Sequence, residues 1–316
     1  MFPSKSSLEI ILWCIMSSDK TTTEAADNCC ASCGIAEVDD IKLVPCDDCD
    51  IVNYCSDECQ RYHRSEHELE CKERATELRD ELLFKQPEGT HFGDCPICCL
   101  PFPLDPLKSR MQTCCSKAIC IGCAYSSIVR HWEEKRLRTC PFCRHIVPDT
   151  QEEADRRLMK RVEANDPAAI RKMGGKHFDE GDYDGAFKYW TKAAELGNVE
   201  AHYELSIMYR DEECVEKDEK KEIYHLEEAA IGGHASARQN LGVYEERNGR
   251  IDRTVKHLII AANLGLDSAM KGLKECYKDG IVSKDDFAAA LRGHYAAVEA
   301  TKSPEREAAA KFYAAL

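Results

Sequence analysis

The 316-residue sequence predicts a multidomain chain: two small cysteine-rich modules, each too short to fold on an apolar core of its own, followed by an all-α solenoid of helical hairpins. Three observations carry this expectation. Eighteen of the twenty cysteines lie before residue 144, many of them in C-x2-C pairs. From about residue 150 the composition turns to Ala, Glu and Lys. In that half, short motifs recur at intervals of 32 or 36 residues, the period of stacked helical repeats.

The start, MFPSKSSLEIILWCIMSSDK, holds a seven-residue apolar run from Ile10 to Met16, bordered by Glu9 and followed by no A-x-A-like cleavage site. Residues 1–28 therefore read as a disordered extension rather than an export signal, with Met16 an alternative start of translation. The run falls well short of the roughly 20 apolar residues that span a bilayer, so no membrane partner is expected. The expected compartment is intracellular, cytoplasmic or nuclear. In a reducing compartment, dense cysteines serve as metal ligands more often than as disulfides.

Cys30-x2-Cys33, Cys46-x2-Cys49, Cys55-x3-Cys59, His67 and Cys71 make eight soft or borderline donors in four pairs, the number that two tetrahedral zinc ions take. A segment of about 42 residues buries too little apolar surface to fold unaided. Structural zinc, with an apparent binding energy of about 10–16 kcal/mol, substitutes for the missing core. The stretches CASC, CDDC, YCSDECQ and HELEC resemble the MYND zinc finger over residues 30–71. That resemblance implies interleaved binding, with Cys30, Cys33, Cys55 and Cys59 on one ion and Cys46, Cys49, His67 and Cys71 on the other. It also implies docking of short proline-containing peptides, near a tryptophan whose place Arg64 takes here, which leaves the peptide unassigned. His63 is a second candidate donor, though the spacing favours His67, and Cys29 is an extra thiol beside Cys30. No N-H-S-C-like stretch of a SET-type methyltransferase is present.

KERATELRDELLFKQPEGTHFGD, with Leu78, Leu82 and Leu83 as apolar positions and Pro87 and Gly89 as its stop, predicts a helical linker over residues 72–94. Then CPIC at 95–98, TCCSKAICIGC at 113–123 and CPFCRHIVP at 140–148 set out a second donor array, which resembles a RING finger over residues 95–148. The resemblance implies Cys95, Cys98, Cys120 and Cys123 on one zinc, and Cys140 and Cys143 with two donors from 114–117 on the other, for about four ions in the chain. The family's C-x-H-x2-C is altered here, and Lys117 is a poor ligand when protonated. Either Cys114 and Cys115 both bind, or His131 or His145 supplies the fourth donor, or the site is incomplete. RING fingers act as ubiquitin ligases by positioning a ubiquitin-charged conjugating enzyme, so no catalytic nucleophile is expected. Ile97, Pro141 and Arg144 stand where the family contacts that enzyme.

In DPAAI, Asp166 reads as an N-cap and Pro167 as the first helical residue. KAAELG at 192–197, EAAIGG at 228–233 and IAANLG at 260–265 then follow at 36 and 32 residues. Ala169, Ala201, Ala237 and Ala269, each with Met173, Leu205, Leu241 or Leu273 four residues on, give a second register of 32, 36 and 32. Small residues there let paired helices approach while the large ones fill the core between them. Phe187, Tyr189, Trp190, Tyr203, Tyr209 and Tyr244 are expected to pack rather than to form a ligand box. The A-x3-L-G openings, the KAAELG endings and the loop ECVEKDEKK resemble Sel1-like repeats, TPR-like units, over residues 168–300, which implies a protein-binding scaffold. The final SPEREAAAKFYAAL is expected to cap the last repeat of a solenoid spanning 150–316.

A net charge of −14, with acids and bases interspersed, disfavours binding to a phosphate backbone, so no nucleic-acid partner is expected. Cys14, Cys214 and Cys276 lack ligand-spaced partners. These features together predict a zinc-binding protein–protein interaction adaptor. In one version it is a RING-type ubiquitin ligase whose solenoid selects targets. In the other it is a non-enzymatic scaffold whose three modules all dock partner proteins.

Overall fold

The computed structural model describes residues 29–38, 40–211 and 215–315. The extension expected over 1–28, with Cys14 and Met16, and Cys214 lie outside the described residues. The chain divides into two compact units, Met1–Leu83 and Phe84–Leu316.

In the first unit, β1 (Val44–Pro45) pairs antiparallel with β2 (Asn53–Tyr54) and leads into α1 (Asp57–Leu83). Neither Pro nor Gly interrupts the sequence from Asp57 to Leu83. The last donors of the finger and the expected linker helix therefore form one continuous 27-residue helix. The core of this unit is largely sulfur: Cys30, Cys46 and Cys49 are buried with Tyr54, and Leu43 and Val52 pack against them.

The second unit opens with a 3-10 turn at Pro106–Lys108 and a hairpin of β3 (Ser109–Met111) and β4 (Ala118–Cys120). Next come α2 (Ile121–Glu133) and α3 (Gln151–Glu163). The sequence places a domain boundary near residue 150, but α3 packs to both sides of it. Its Leu158 and Val162 join the core with Ala169, Ile170 and Trp190. On the finger side, its Arg157 donates to the carbonyl of Ile146, and its Arg161 Nε donates to Ser116 Oγ at 3.4 Å.

Four helical hairpins follow: α4 (Pro167–Asp179) with α5 (Tyr183–Glu195), α6 (Val199–Arg210) with α7 (Glu219–Ile231), α8 (Ala235–Arg247) with α9 (Ile251–Asn263), and α10 (Asp267–Lys278) with α11 (Lys284–Ala300). The repeat is visible at its caps. Side chains of Asp166, Asn198 and His234 accept from the N–H groups of Ala169, Ala201 and Ala237, three residues on. Those alanines and Ala269 are wholly buried, and Met173, Leu205, Leu241 and Leu273 are buried one turn later. Gly197, Gly233 and Gly265 end the KAAELG, EAAIGG and IAANLG motifs with φ of 80°, 88° and 92°, a conformation that strains any residue with a Cβ. None of the six aromatic residues singled out above is exposed, and Trp190 Nε1 donates to the carbonyl of Arg171.

The last helix, α12 (Pro304–Ala314), departs from expectation. Its packing partner is α2 of the second finger, where the Phe312 ring lies 5.0 Å from that of Tyr125. Gly122 makes this approach possible, because a Cβ there would lie 2.8 Å from Arg306 N.

Candidate metal centres

Three C-x2-C turns repeat one backbone pattern. The N–H groups of Cys30, Cys95 and Cys140 donate to the carbonyls of Ile35, Leu100 and His145 at 2.8, 3.0 and 2.7 Å. The residue after each second cysteine, Gly34, Cys99 or Arg144, donates back to the first cysteine at 2.8 Å, with φ of 73°, 56° and 64°. The Cys46 turn is looser, closing through Asp50 N to Cys46 O at 3.2 Å.

These turns and α1 bring together two donor sets in the first finger. Cys30, Cys33, Cys55 and Cys59 form one, and Cys46, Cys49, His67 and Cys71 the other, with all donor atoms of each set within 4.8 Å of one another. The second finger holds Cys95, Cys98, Cys120 and Cys123 in one set and Cys114, Cys115, Cys140 and Cys143 in another. Sulfur separations of 3.5 Å for Cys33–Cys55, 3.8 Å for Cys46–Cys71 and 3.8 Å for both Cys95–Cys123 and Cys98–Cys120 are far from a disulfide length of about 2.05 Å. They match the edge, about 3.8 Å, of a tetrahedron drawn around zinc with Zn–S near 2.3 Å. The donor chemistry fits zinc as well, with soft thiolates and one imidazole and no carboxylate.

The altered ligand of the second finger has a backbone explanation. Ser116 N donates to Gln112 O at 2.8 Å and Ser116 has φ 56°, so Gln112 stands in a first-cysteine position and Cys115 in a second. Cys114, between them, brings its sulfur to 3.3 Å from that of Cys143, and Cys115 lies 4.0 Å from Cys140. Of the alternatives left open by spacing, the adjacent pair is the one the fold brings together. His131 is engaged with the Ser127 carbonyl and the Thr139 hydroxyl, and His145 is outside the four-donor group.

The electrostatics are those of sites built to hold anions. Burial raises the Cys30, Cys95 and Cys143 thiols, but backbone N–H groups of Cys33, Cys120 and His145 respectively outweigh it and hold them down to about 6, 7 and 6. Cys71 is pushed up to about 12 by burial and by the neighbouring thiols of Cys49 and Cys46, and Cys55 to about 12 by the thiols of Cys33 and Cys59. A dication held by these donors would resolve that conflict by favouring the deprotonated form of the raised members.

His63 does not join the donors. Burial and the nearby thiols raise the Tyr54 phenol to about 12, so it remains a donor to His63 Nδ1 at 3.1 Å, and the His63 ring stacks on His67. Cys29 and Cys99 stay outside all four sets. Arg64 lines a cleft of about 370 Å³ with Tyr54, Gln60, Asp47 and Asp48. In the second finger Ile97 is 42% exposed and Arg144 is exposed, while Pro141 is half-buried in a cleft with Ser127 and Ile128.

Sequence reading missed a fifth cluster, His91, Glu200 and His234. Its imidazoles stack at 4.4 Å with planes 15° apart, so one ion cannot lie in the plane of both rings. His234 Nδ1 accepts the Ala237 N–H at 3.1 Å, which leaves the proton on the Nε2 that faces Glu200. With His91 Nε2 2.5 Å from the Glu200 carboxylate, the cluster is a polar tie between the segment before Cys95 and α6.

Residues 30–71 match the profile of the MYND finger. No curated protein matches the chain. Among solved structures the chain is similar to a protective antigen of uropathogenic Escherichia coli displaying an SLR fold, at 29% identity and a TM-score of 0.39, over 46% of this chain and 33% of that one. The chain thus spans about a third of that antigen's length. It is also similar to a Sel1 repeat protein from Oxalobacter formigenes, at 25% identity and a TM-score of 0.36, over 40% of this chain and 99% of the other. Among the described residues, no helix is long and apolar enough to cross a membrane.

Proposed function

We propose that this chain, with its MYND finger at residues 30–71, is a zinc-binding protein-interaction adaptor that holds four ions and whose second finger is a RING-type ubiquitin ligase. In this reading the hairpin solenoid selects the target, and the second finger presents a ubiquitin-charged conjugating enzyme through Ile97, Pro141 and Arg144. The compartment that suits such thiolate sites is reducing, cytoplasmic or nuclear. The observation that carries the reading is the pairing of the second finger's ligand segments, first with third and second with fourth, with Ile97 and Arg144 left exposed between and after the donors.

The scaffold reading is favoured by one feature, the adjacent Cys114–Cys115 pair in place of the family's spaced donors. Ubiquitin discharge from a panel of charged conjugating enzymes separates the two. For a ligase, the full chain accelerates discharge with at least one enzyme, and Ile97→Ala and Arg144→Ala each lower that acceleration about tenfold while zinc content stays at four by native mass spectrometry. An Ile97→Ala protein as active as wild type sinks the ligase geometry, and no acceleration with any enzyme favours the scaffold.

A further inference from the structure

Arg306 lies in α12, more than 150 residues beyond the last donor of the second finger, yet it reaches that finger's first donor set. It is 6% exposed. Its Nη1 donates to the carbonyls of Pro101 and Thr301, both at 2.6 Å, and its Nη2 donates to the carbonyl of Leu100 at 3.0 Å and to Cys98 Sγ at 3.5 Å. Carbonyls orient a guanidinium without neutralising it, and among the described residues no carboxylate pairs with Arg306. A buried cation without a counter-anion is strongly unfavourable. Four thiolates around one zinc carry a net charge of −2, which supplies that counter-anion.

The surroundings are built for this contact. Ser303 Oγ accepts the Arg306 N–H at 3.3 Å and Pro304 opens the helix, which fixes Arg306 in the first turn. Gly122, between donors Cys120 and Cys123, is the only residue type that admits the Arg306 backbone so close. Within the donor set, backbone N–H groups of Cys120 and Cys123 reach the sulfurs of Cys95 and Cys120, both at 3.4 Å, and the guanidinium reaches Cys98.

We infer that Arg306 is an outer-sphere residue of the Cys95/Cys98/Cys120/Cys123 zinc site, so that metal retention in the second finger depends on the last helix of the chain. The inference rests on that set binding zinc. Hydrogen-bond donors behind metal ligands typically change metal affinity 10–100-fold.

The test compares zinc-loaded full-length proteins, following zinc transfer to a chromogenic chelator and, by mass spectrometry, which cysteines become alkylated first. Arg306→Gln is expected to release one zinc about 10–100-fold faster, with Cys98 alkylated earliest and the other three ions unaffected. Arg306→Lys, which keeps the charge but loses the fork, falls between Arg306→Gln and wild type, and it decides the matter if Arg306→Gln does not fold. Phe312→Ala removes the ring contacts with Tyr125 and Trp132 at the far end of α12, leaves the guanidinium on Cys98, and is expected to release zinc as wild type does. Release from Arg306→Gln at the wild-type rate overturns the inference. So does equal release from Phe312→Ala and Arg306→Gln, which would assign the effect to packing. Failure of the underlying zinc reading looks different: wild type itself would carry only the ions of the first finger.

Discussion

Glu200 and Glu204 sit one turn apart on α6 and are driven in opposite directions by what faces them. Burial raises the Glu200 carboxyl, but His234 and His91 outweigh it and hold the group well below the usual carboxylate range. Glu204 has no such partner: burial, then the Glu200 charge, push it up to about 7, against a partial pull from Arg171 4.0 Å away. The linkage signs differ accordingly. The depressed Glu200 contributes stability above the unfolded carboxylate pKa that is lost as pH falls. For Glu204, the folded state holds a proton between about 4.5 and 7 that the unfolded chain has released, so its contribution is full below about 4.5 and fades as pH rises to 7. Glu204→Gln should therefore leave stability at pH 4.5 nearly unchanged and raise it at pH 8 by up to about 3 kcal/mol, at 1.36 kcal/mol per unit. Denaturant melts at the two pH values check this, and equal effects at both would show that Glu204 is ionised in the fold. None of this was legible in the sequence, where both residues read as solvated charges. The difference comes from His234 and His91, the latter 109 positions away from Glu200.

At the scale of elements, the hairpins were legible because their determinants are local and repeated. A capping residue, a buried alanine three positions on and a large apolar residue one turn later recur at fixed spacing, and a left-handed glycine ends each KAAELG-type motif. The donor sets were legible in type, since C-x2-C turns carry their own backbone geometry. The Cys114–Cys115 pair was legible only as one of the alternatives that spacing left open, because the turn that presents it has Gln112 rather than cysteine at its first position. The fate of the last helix was hidden for another reason: nothing within SPEREAAAKFYAAL states whether its apolar face meets a hairpin or α2. Two glycines separate intrinsic helix preference from this packing. Gly175, inside α4, has open space where a Cβ would go, so Gly175→Ala should stabilise by about 0.5–1 kcal/mol. At Gly122 the same change places a Cβ against the Arg306 backbone, so overpacking of about 1–3 kcal/mol outweighs the propensity gain. Thermal melts of the two variants should shift in opposite directions, and a stabilised Gly122→Ala protein would mean that α12 does not press on α2 in solution.

For the whole molecule, the decisive feature is that the second finger belongs to the same compact unit as the hairpins, while the first finger belongs to Met1–Leu83. The second finger is held to the helices through Arg157 and Arg161 of α3 and through Arg306 of α12. Losing its metal should therefore weaken the helices as well. A Cys140→Ser/Cys143→Ser protein, which removes half of one donor set, is expected to lower the main helical transition at 222 nm by roughly 5–10 °C, the shift that a loss of about 2–3 kcal/mol produces in a domain of this size. Cys46→Ser/Cys49→Ser removes the equivalent half-site from the first finger and should leave that transition in place, its effect confined to α1 and the short β1–β2 pair. The pair of melts distinguishes two kinds of adaptor. If only the second-finger substitution moves the transition, finger and solenoid fold as one body, and whatever the second finger recruits is held at a fixed distance from whatever the solenoid binds. If neither moves it, the finger opens and closes without the solenoid, and the two would present their partners as independently as beads on a chain.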